Sequence, residues 1–232
     1  MVPVHTWLPD TAEQADPHDP DGLKPGMNVL VWGASGGLGS YAIQLINAAG
    51  ANAIGVISDE DKREFVMGLG AKGVINRKEF NCWGQLPTVN TSEYKEWFNE
   101  VRKFGKAIWD ITGKGNNVDI VFEHPGEATF PVSTLVCKKG GMVVICAGTT
   151  GFNCTFDVRY LWMHQKRIQG SHFAHLKQAS QANRFVLERR IERRVQLHPD
   201  SLGELLVGCA DGALTARLPL EGLDLLEEAR EN

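Results

Sequence analysis

Along most of this chain, short continuous apolar runs alternate with glycine turns and with stretches of helical period. Residues 29–32, Val-Leu-Val-Trp, are the length of a short buried strand. Glycines follow at 33, 36, 37 and 39; from 40 to 49 the apolar positions are 42, 43, 45, 46 and 49, one face of a helix. Residues 53–58 predict a second strand. A second helix is expected over 59–69, with Asp59 and Glu60 at its positive end and Gly70 closing it, then a third strand over 73–76. This β-α-β-α-β order is half of a doubly wound parallel sheet, and the fold class is α/β. Residues 118–123 and 142–147 predict a fourth and a fifth strand, with a helix over 128–137 between them despite Pro131, and a turn at Gly140 and Gly141.

Other stretches depart from that pattern. Residues 1–26 carry five prolines and several acids and are expected to be irregular. Residues 77–104 are long for a strand-to-helix connection and place Trp83, Tyr94, Trp97 and Phe98 among charges, so they predict an insertion with its own small packing. A helix within it, from 92 to 106, continues to Gly113. Residues 159–163 and 166–168 lead into Gly170-Ser-His172; Trp162 is expected in the core. A helix is expected over 176–190, a solvated charged face over 188–194, and a last helix over 221–230. The organisation expected is therefore an N-terminal segment to 26, a dinucleotide-binding domain over 27–175, and a C-terminal helical and mixed segment over 176–232.

Composition narrows the classes. The chain has 232 residues, 43% of them hydrophobic, and a net charge of −4, which gives no pull toward nucleic acid or an anionic membrane. No apolar run is long enough to span a bilayer. Five cysteines, at 82, 137, 146, 154 and 209, form no CxxC pair and no cluster with zinc-finger spacing. Scattered thiols in odd number point to a reducing compartment and a cytoplasmic setting.

The candidate chemistry sits at the strand ends. Strand, glycine turn and helix make a phosphate-binding corner: Gly33 turns the chain, Gly36 and Gly37 admit a pyrophosphate to backbone N–H groups, and Gly39 lets helix and strand pack. Ser35 and Leu38 belong to the same loop. At the end of the second strand, Ser58 and Lys62, with Arg77 after the third, suit a ribose 2′-phosphate and so NADP, although Asp59 is placed where an NAD-type acid would be. His124 and Pro125, and the loop Ala147, Gly148 and Thr149, follow strands whose C-terminal ends line the ligand crevice of such sheets. Glu123 is expected to bond to backbone or a cation rather than to act in catalysis.

Residues 32–40 (Trp-Gly-Ala-Ser-Gly-Gly-Leu-Gly-Ser), 122–126 (Phe-Glu-His-Pro-Gly), 159–163 (Arg-Tyr-Leu-Trp-Met) and 170–174 (Gly-Ser-His-Phe-Ala), with the Trp-bearing insertion, resemble the crotonyl-CoA carboxylase/reductases, zinc-free members of the medium-chain dehydrogenase/reductase superfamily. The resemblance runs from about residue 24 to about 190. It implies NADPH as cofactor, no metal, and enoyl-CoA and CO2 as substrates: hydride to the β-carbon, then CO2 at the α-carbon. It implies that His172 lies by the nicotinamide and helps hold CO2, and that Arg159 and Tyr160 lie toward the CoA. Family members are longer and begin with a catalytic domain, so a homo-oligomer or a separate catalytic part is expected. Two alternatives stay open: a non-carboxylating enoyl or quinone reductase, and a nucleotide-binding module without activity of its own.

Overall fold

The computed structural model describes residues 22–172, 176–188 and 191, all within the first of the two units, residues 1–194, into which the chain divides. The described elements run β1 (Asn28–Val31), α1 (Gly37–Ala48), β2 (Asn52–Ile57), a 3-10 turn leading into α2 (Arg63–Gly68), β3 (Gly73–Asn76), α3 (Ser92–Thr112), β4 (Val118–Glu123), α4 (Phe130–Val136), β5 (Cys137–Ile145), α5 (Val158–Trp162), β6 (Arg167–Gly170) and α6 (Leu176–Leu187). The six strands form one sheet in the order β3-β2-β1-β4-β5-β6, and every pairing is parallel. The doubly wound α/β expectation holds.

The alternation of side chains along β1 sets up two cores. Val29 and Val31 face a cluster closed by Ala42, Ile43 and Ile46 of α1 and Val66 of α2. Leu30 and Trp32 face the other side, where Val101, Phe104 and Ile108 of α3 and Val132 and Val136 of α4 cover the sheet. The Trp32 and Phe104 rings stack with centroids 5.7 Å apart, and Trp83 meets both edge-on at 5.4 Å.

Several expectations are corrected. The segment 77–104 has no small core of its own: Phe80, Trp83, Leu86, Trp97 and Phe104 join the cluster on the second sheet face. That face is otherwise bare apolar surface, and its burial outweighs local packing. The expected helix at 92–106 and its continuation are one helix, whose Thr91 cap accepts a hydrogen bond from the Tyr94 N–H. The helix expected over 128–137 is shortened to Phe130–Val136, because Pro131 is acceptable only in the first turn. The fifth strand begins at Cys137 rather than 142; Gly140 and Gly141 lie inside it, where the register to β4 shifts between Val118 and Ile120. Residues 60–62 form a 3-10 turn rather than the first turn of α2. Residues 167–170 form the sixth strand, on β5. Trp162 is not in the core: it is 66% exposed, beside Met163, on the outer side of the short α5. Expectations for residues 1–21, 173–175, 189–190 and 192–232, with the end of the helix expected over 176–190, most of the charged face over 188–194, the tail helix and Cys209, lie outside the described residues.

Candidate functional site

The strand order reverses between β1 and β4, so the loops leaving their C-terminal ends part and leave a crevice. Three loops line it. After β1 the chain turns at Gly33, whose φ of +55° is left-handed, and the Gly36 N–H donates to the Gly33 carbonyl at 2.9 Å. A Cβ on Gly39 would lie 2.3 Å from the Gly33 carbonyl oxygen, so only glycine lets the first turn of α1 close on the loop. Gly36 caps α1 with no side-chain hydrogen bond, and no acid stands in the first turn. The N–H groups of Gly37 and Leu38 therefore begin the helix without an intrahelical partner, under a positive helix end. A Cβ on Gly37 would meet no protein atom within 4 Å. An uncapped, acid-free helix start beside open space fits a pyrophosphate. Ser35 sits half-buried in the same loop.

The second loop follows β4. The His124 Nε2–H donates to the Trp32 carbonyl at 2.9 Å, which fixes that nitrogen as the protonated one, and the ring fills the space beside Gly33. Burial holds the His124 pKa below its ordinary value, so the ring is neutral near pH 7. The third loop follows β5 and is bonded to the second: the Thr149 N–H donates to the His124 carbonyl at 3.2 Å, and the Thr150 N–H and hydroxyl both donate to the Pro125 carbonyl at 2.8 Å. Pro125 is buried beneath this lattice, whereas Ala147 and Thr149 are exposed and Gly148 half-exposed.

At the end of β2 lies a charge cluster. Lys62 Nζ donates to Ser58 Oγ at 3.3 Å and to Asp59 Oδ2 at 3.2 Å, and Lys78 Nζ pairs with Asp59 Oδ1. Hydrogen bonds from Lys78 first, then Lys62 and Ser58, hold the Asp59 carboxyl down at about 2. Asp59 is thus a countercharge held between two ammonium groups. Lys78 escaped the sequence reading, which took Arg77 for this corner; the 3-10 turn Arg77–Glu79 carries Lys78 to Asp59. The only local signal was a second cation directly after Arg77. The Arg77 side chain is in no hydrogen bond or ion pair among the described residues.

The remaining candidates lie toward β5 and β6. Arg159 is gripped through Nε and Nη2 by the buried Asp157, which also accepts from Tyr94 Oη at 3.0 Å. The pairing raises the Arg159 pKa and lowers that of Asp157. Tyr160 lies half-buried between Phe98 and His164. His172, exposed, follows β6, where the Ser171 N–H donates to the Ile145 carbonyl at 2.8 Å. Glu123, expected to bond to backbone or a cation, takes the backbone option: its Oε1 accepts from the Gly126 N–H at 3.1 Å and from the Thr129 hydroxyl at 2.7 Å. A cavity of about 1240 Å³ runs along α3, lined by Asn81, Trp83 and Lys106 among others, away from this crevice.

Comparison with known proteins follows the same outline. The sequence model described as Zinc-binding dehydrogenase matches residues 37–188. The chain is 83% identical over 175 residues to a crotonyl-CoA carboxylase/reductase of Cereibacter sphaeroides, covering 75% of this chain and 41% of that protein. It is 48% identical over 172 residues to a crotonyl-CoA reductase of Streptomyces avermitilis, covering 73% and 37%. Among solved structures, a crotonyl-CoA carboxylase/reductase superposes with a TM-score of 0.74 at 71% identity, over 81% of this chain and 44% of that one. The crotonyl-CoA carboxylase/reductase AntE in complex with NADP gives 0.76 at 41% identity, over 84% and 49%. The chain thus spans about two fifths of the length of the curated relatives it matches.

Proposed function

Given that this chain belongs to the zinc-binding dehydrogenase family, we propose that it is the NADPH-binding portion of a reductive carboxylase, which reduces an enoyl-CoA of the crotonyl-CoA type and adds CO2 at the α-carbon to give an alkylmalonyl-CoA. The observation that carries this reading is the 83% identity to a crotonyl-CoA carboxylase/reductase over three quarters of the chain. NADPH, when bound, supplies the hydride for the β-carbon. The protein's part is to hold, orient and exclude water. Gly33, Ser35, Gly36, Gly37 and Leu38 receive the pyrophosphate on backbone N–H groups. Ser58, Lys62, Arg77 and Lys78 receive the 2′-phosphate through charge-assisted hydrogen bonds, with Asp59 neutralised between the lysines. His124, Pro125, Ala147, Gly148 and Thr149 bound the nicotinamide half. Arg159 and Tyr160 face the CoA, and the His172 imidazole, able to donate at one nitrogen and accept at the other, orients CO2.

Among the described residues no three His, Cys, Asp or Glu side chains gather as a metal set, and no step of this reading runs through a metal. No helix among the described residues is long and apolar enough to cross a membrane. A cytoplasmic enzyme, acting as a homo-oligomer or with a separate catalytic domain, completes the proposal.

The test is a titration of the chain with NADPH and NADH at fixed salt. NADPH binds more tightly; Lys62→Ala, Arg77→Ala and Lys78→Ala each weaken it by about tenfold, the size of one charge-assisted bond, and leave NADH unmoved. Equal affinity for both cofactors, or for neither, overturns the cofactor assignment. With crotonyl-CoA and the assembled enzyme, label from bicarbonate appears in the product; reduction without label overturns the carboxylase reading.

A further inference from the structure

Glu123 is wholly buried at the end of β4, and no cation bonds to it among the described residues. Its two oxygens hold separate parts of the crevice. Oε1 accepts from the Gly126 N–H and the Thr129 hydroxyl, so it closes the turn that carries His124 and Pro125. Oε2 is bonded to the Ser133 hydroxyl, and Ser133 Oγ in turn accepts the Trp32 indole N–H at 2.8 Å. Trp32 is the residue before Gly33, and its carbonyl accepts from His124. Two links therefore join the glycine turn of β1 to the turn of β4: one through the His124 ring, one through Trp32, Ser133 and Glu123. Both cross the gap between the two strands at which the sheet order reverses.

We propose that Glu123 is a positioning residue that sets the turn after β4 against the glycine turn, and so fixes where the nicotinamide half of the dinucleotide lies without touching it. The inference rests on the reading of the chain as an NADPH-binding domain. Burial pushes the Glu123 carboxyl above its ordinary range, which agrees with a group used for its hydrogen bonds rather than its charge. An uncharged amide of the same shape can make most of these bonds; a leucine makes none.

The turn held by Glu123 borders the nicotinamide half, whereas the cluster of Ser58, Lys62 and Lys78 lies at the end of β2. The two halves of the ligand therefore separate a positioning effect from a general loss of structure. The chain is titrated with NADPH and with adenosine 2′,5′-bisphosphate, which carries the adenosine and 2′-phosphate but no nicotinamide. Glu123→Leu weakens NADPH by about tenfold or more and the bisphosphate by less than about twofold, as expected when a buried hydrogen-bond set near one half only is lost. Glu123→Gln keeps both within about threefold of the parent, since it replaces the bonds it removes. Should Glu123→Leu fail to fold, Ser133→Ala, which cuts only the link to Trp32, gives the same split with a smaller NADPH loss. Equal losses for both ligands, no loss for either, or a folded Glu123→Gln as weak as Glu123→Leu overturns the inference. A parent chain that binds neither ligand overturns the NADPH reading, and this inference with it; a parent that binds both while the variants show no split leaves that reading standing and removes this one.

Discussion

The two faces of the sheet are covered by different means. On the face of Val29 and Val31, α1 comes close through small and branched residues, Gly39, Ala42, Ile43 and Ile46, and its start has no side-chain cap and no acid in the first turn. On the face of Leu30 and Trp32, α3 stands over a stack of aromatic rings from four places in the chain: Trp32, Phe80, Trp83 and Phe104. The first face needs backbone approach, which glycine and alanine permit. The second needs volume, which the long crossover between β3 and β4 brings. The glycine turn is thus built on the closely packed side, and bulk stabilisation on the aromatic side.

If that division is right, Phe104→Ala should be the most damaging of the following changes to stability. It removes a fully buried ring that contacts Trp32, Phe80 and Trp83, and costs about 3–5 kcal/mol in denaturant unfolding. Its loss of NADPH affinity, measured on the folded fraction, is slight. Gly39→Val inverts the pattern. The new side chain meets the Gly33 carbonyl, costs about 1–3 kcal/mol as an overpacked site, and abolishes NADPH binding because the glycine turn must move. A Gly39→Val chain that binds NADPH normally would dissolve the distinction between the faces.

The effect that pH alone reveals concerns Lys166, buried behind α4, where it donates to the Thr134 and Leu135 carbonyls at 2.7 and 3.1 Å. Burial lowers its pKa from 10.5 to about 8. Between those values the unfolded chain holds a proton that the folded chain has shed, so the lysine subtracts most from stability below pH 8, and the deficit closes as pH rises to 10.5. The buried thiols of Cys82 and Cys137, pushed up to about 12, act in the opposite sense above pH 9, where the unfolded chain loses protons first. The stability difference between Lys166→Met and the parent cancels the Cys82 thiol, and it cancels Cys137 below pH 9, where that thiol, which feels the Lys166 charge, keeps its proton in both states. It should fall steadily between pH 8 and 10.5, and a flat difference would place Lys166 in contact with water.

The glycine corner was legible because each of its requirements is local. Gly33 needs a positive φ, Gly39 a missing Cβ, and both sit a few residues from the strand that precedes them. The β3 and β4 bounds were legible too, since each is an apolar run closed by polar residues. Lys78 was not, because only the 3-10 turn after β3 decides whether residue 77 or 78 faces Asp59. Trp162 was misplaced for a similar reason: an aromatic residue in an apolar run does not say whether a five-residue helix buries any of its sides, and α5 buries none.

By itself, the sequence determined the α/β class, the parallel winding to β5 and the place of the glycine corner. Those follow from backbone geometry and from apolar periods that repeat within ten or twenty residues. Only the tertiary structure decided that residues 77–112 close a sheet face rather than pack on themselves, that Arg167–Gly170 is a sixth strand, and that Glu123 is tied to Trp32. These rest on contacts between residues that lie far apart in the chain, whose burial no local pattern records.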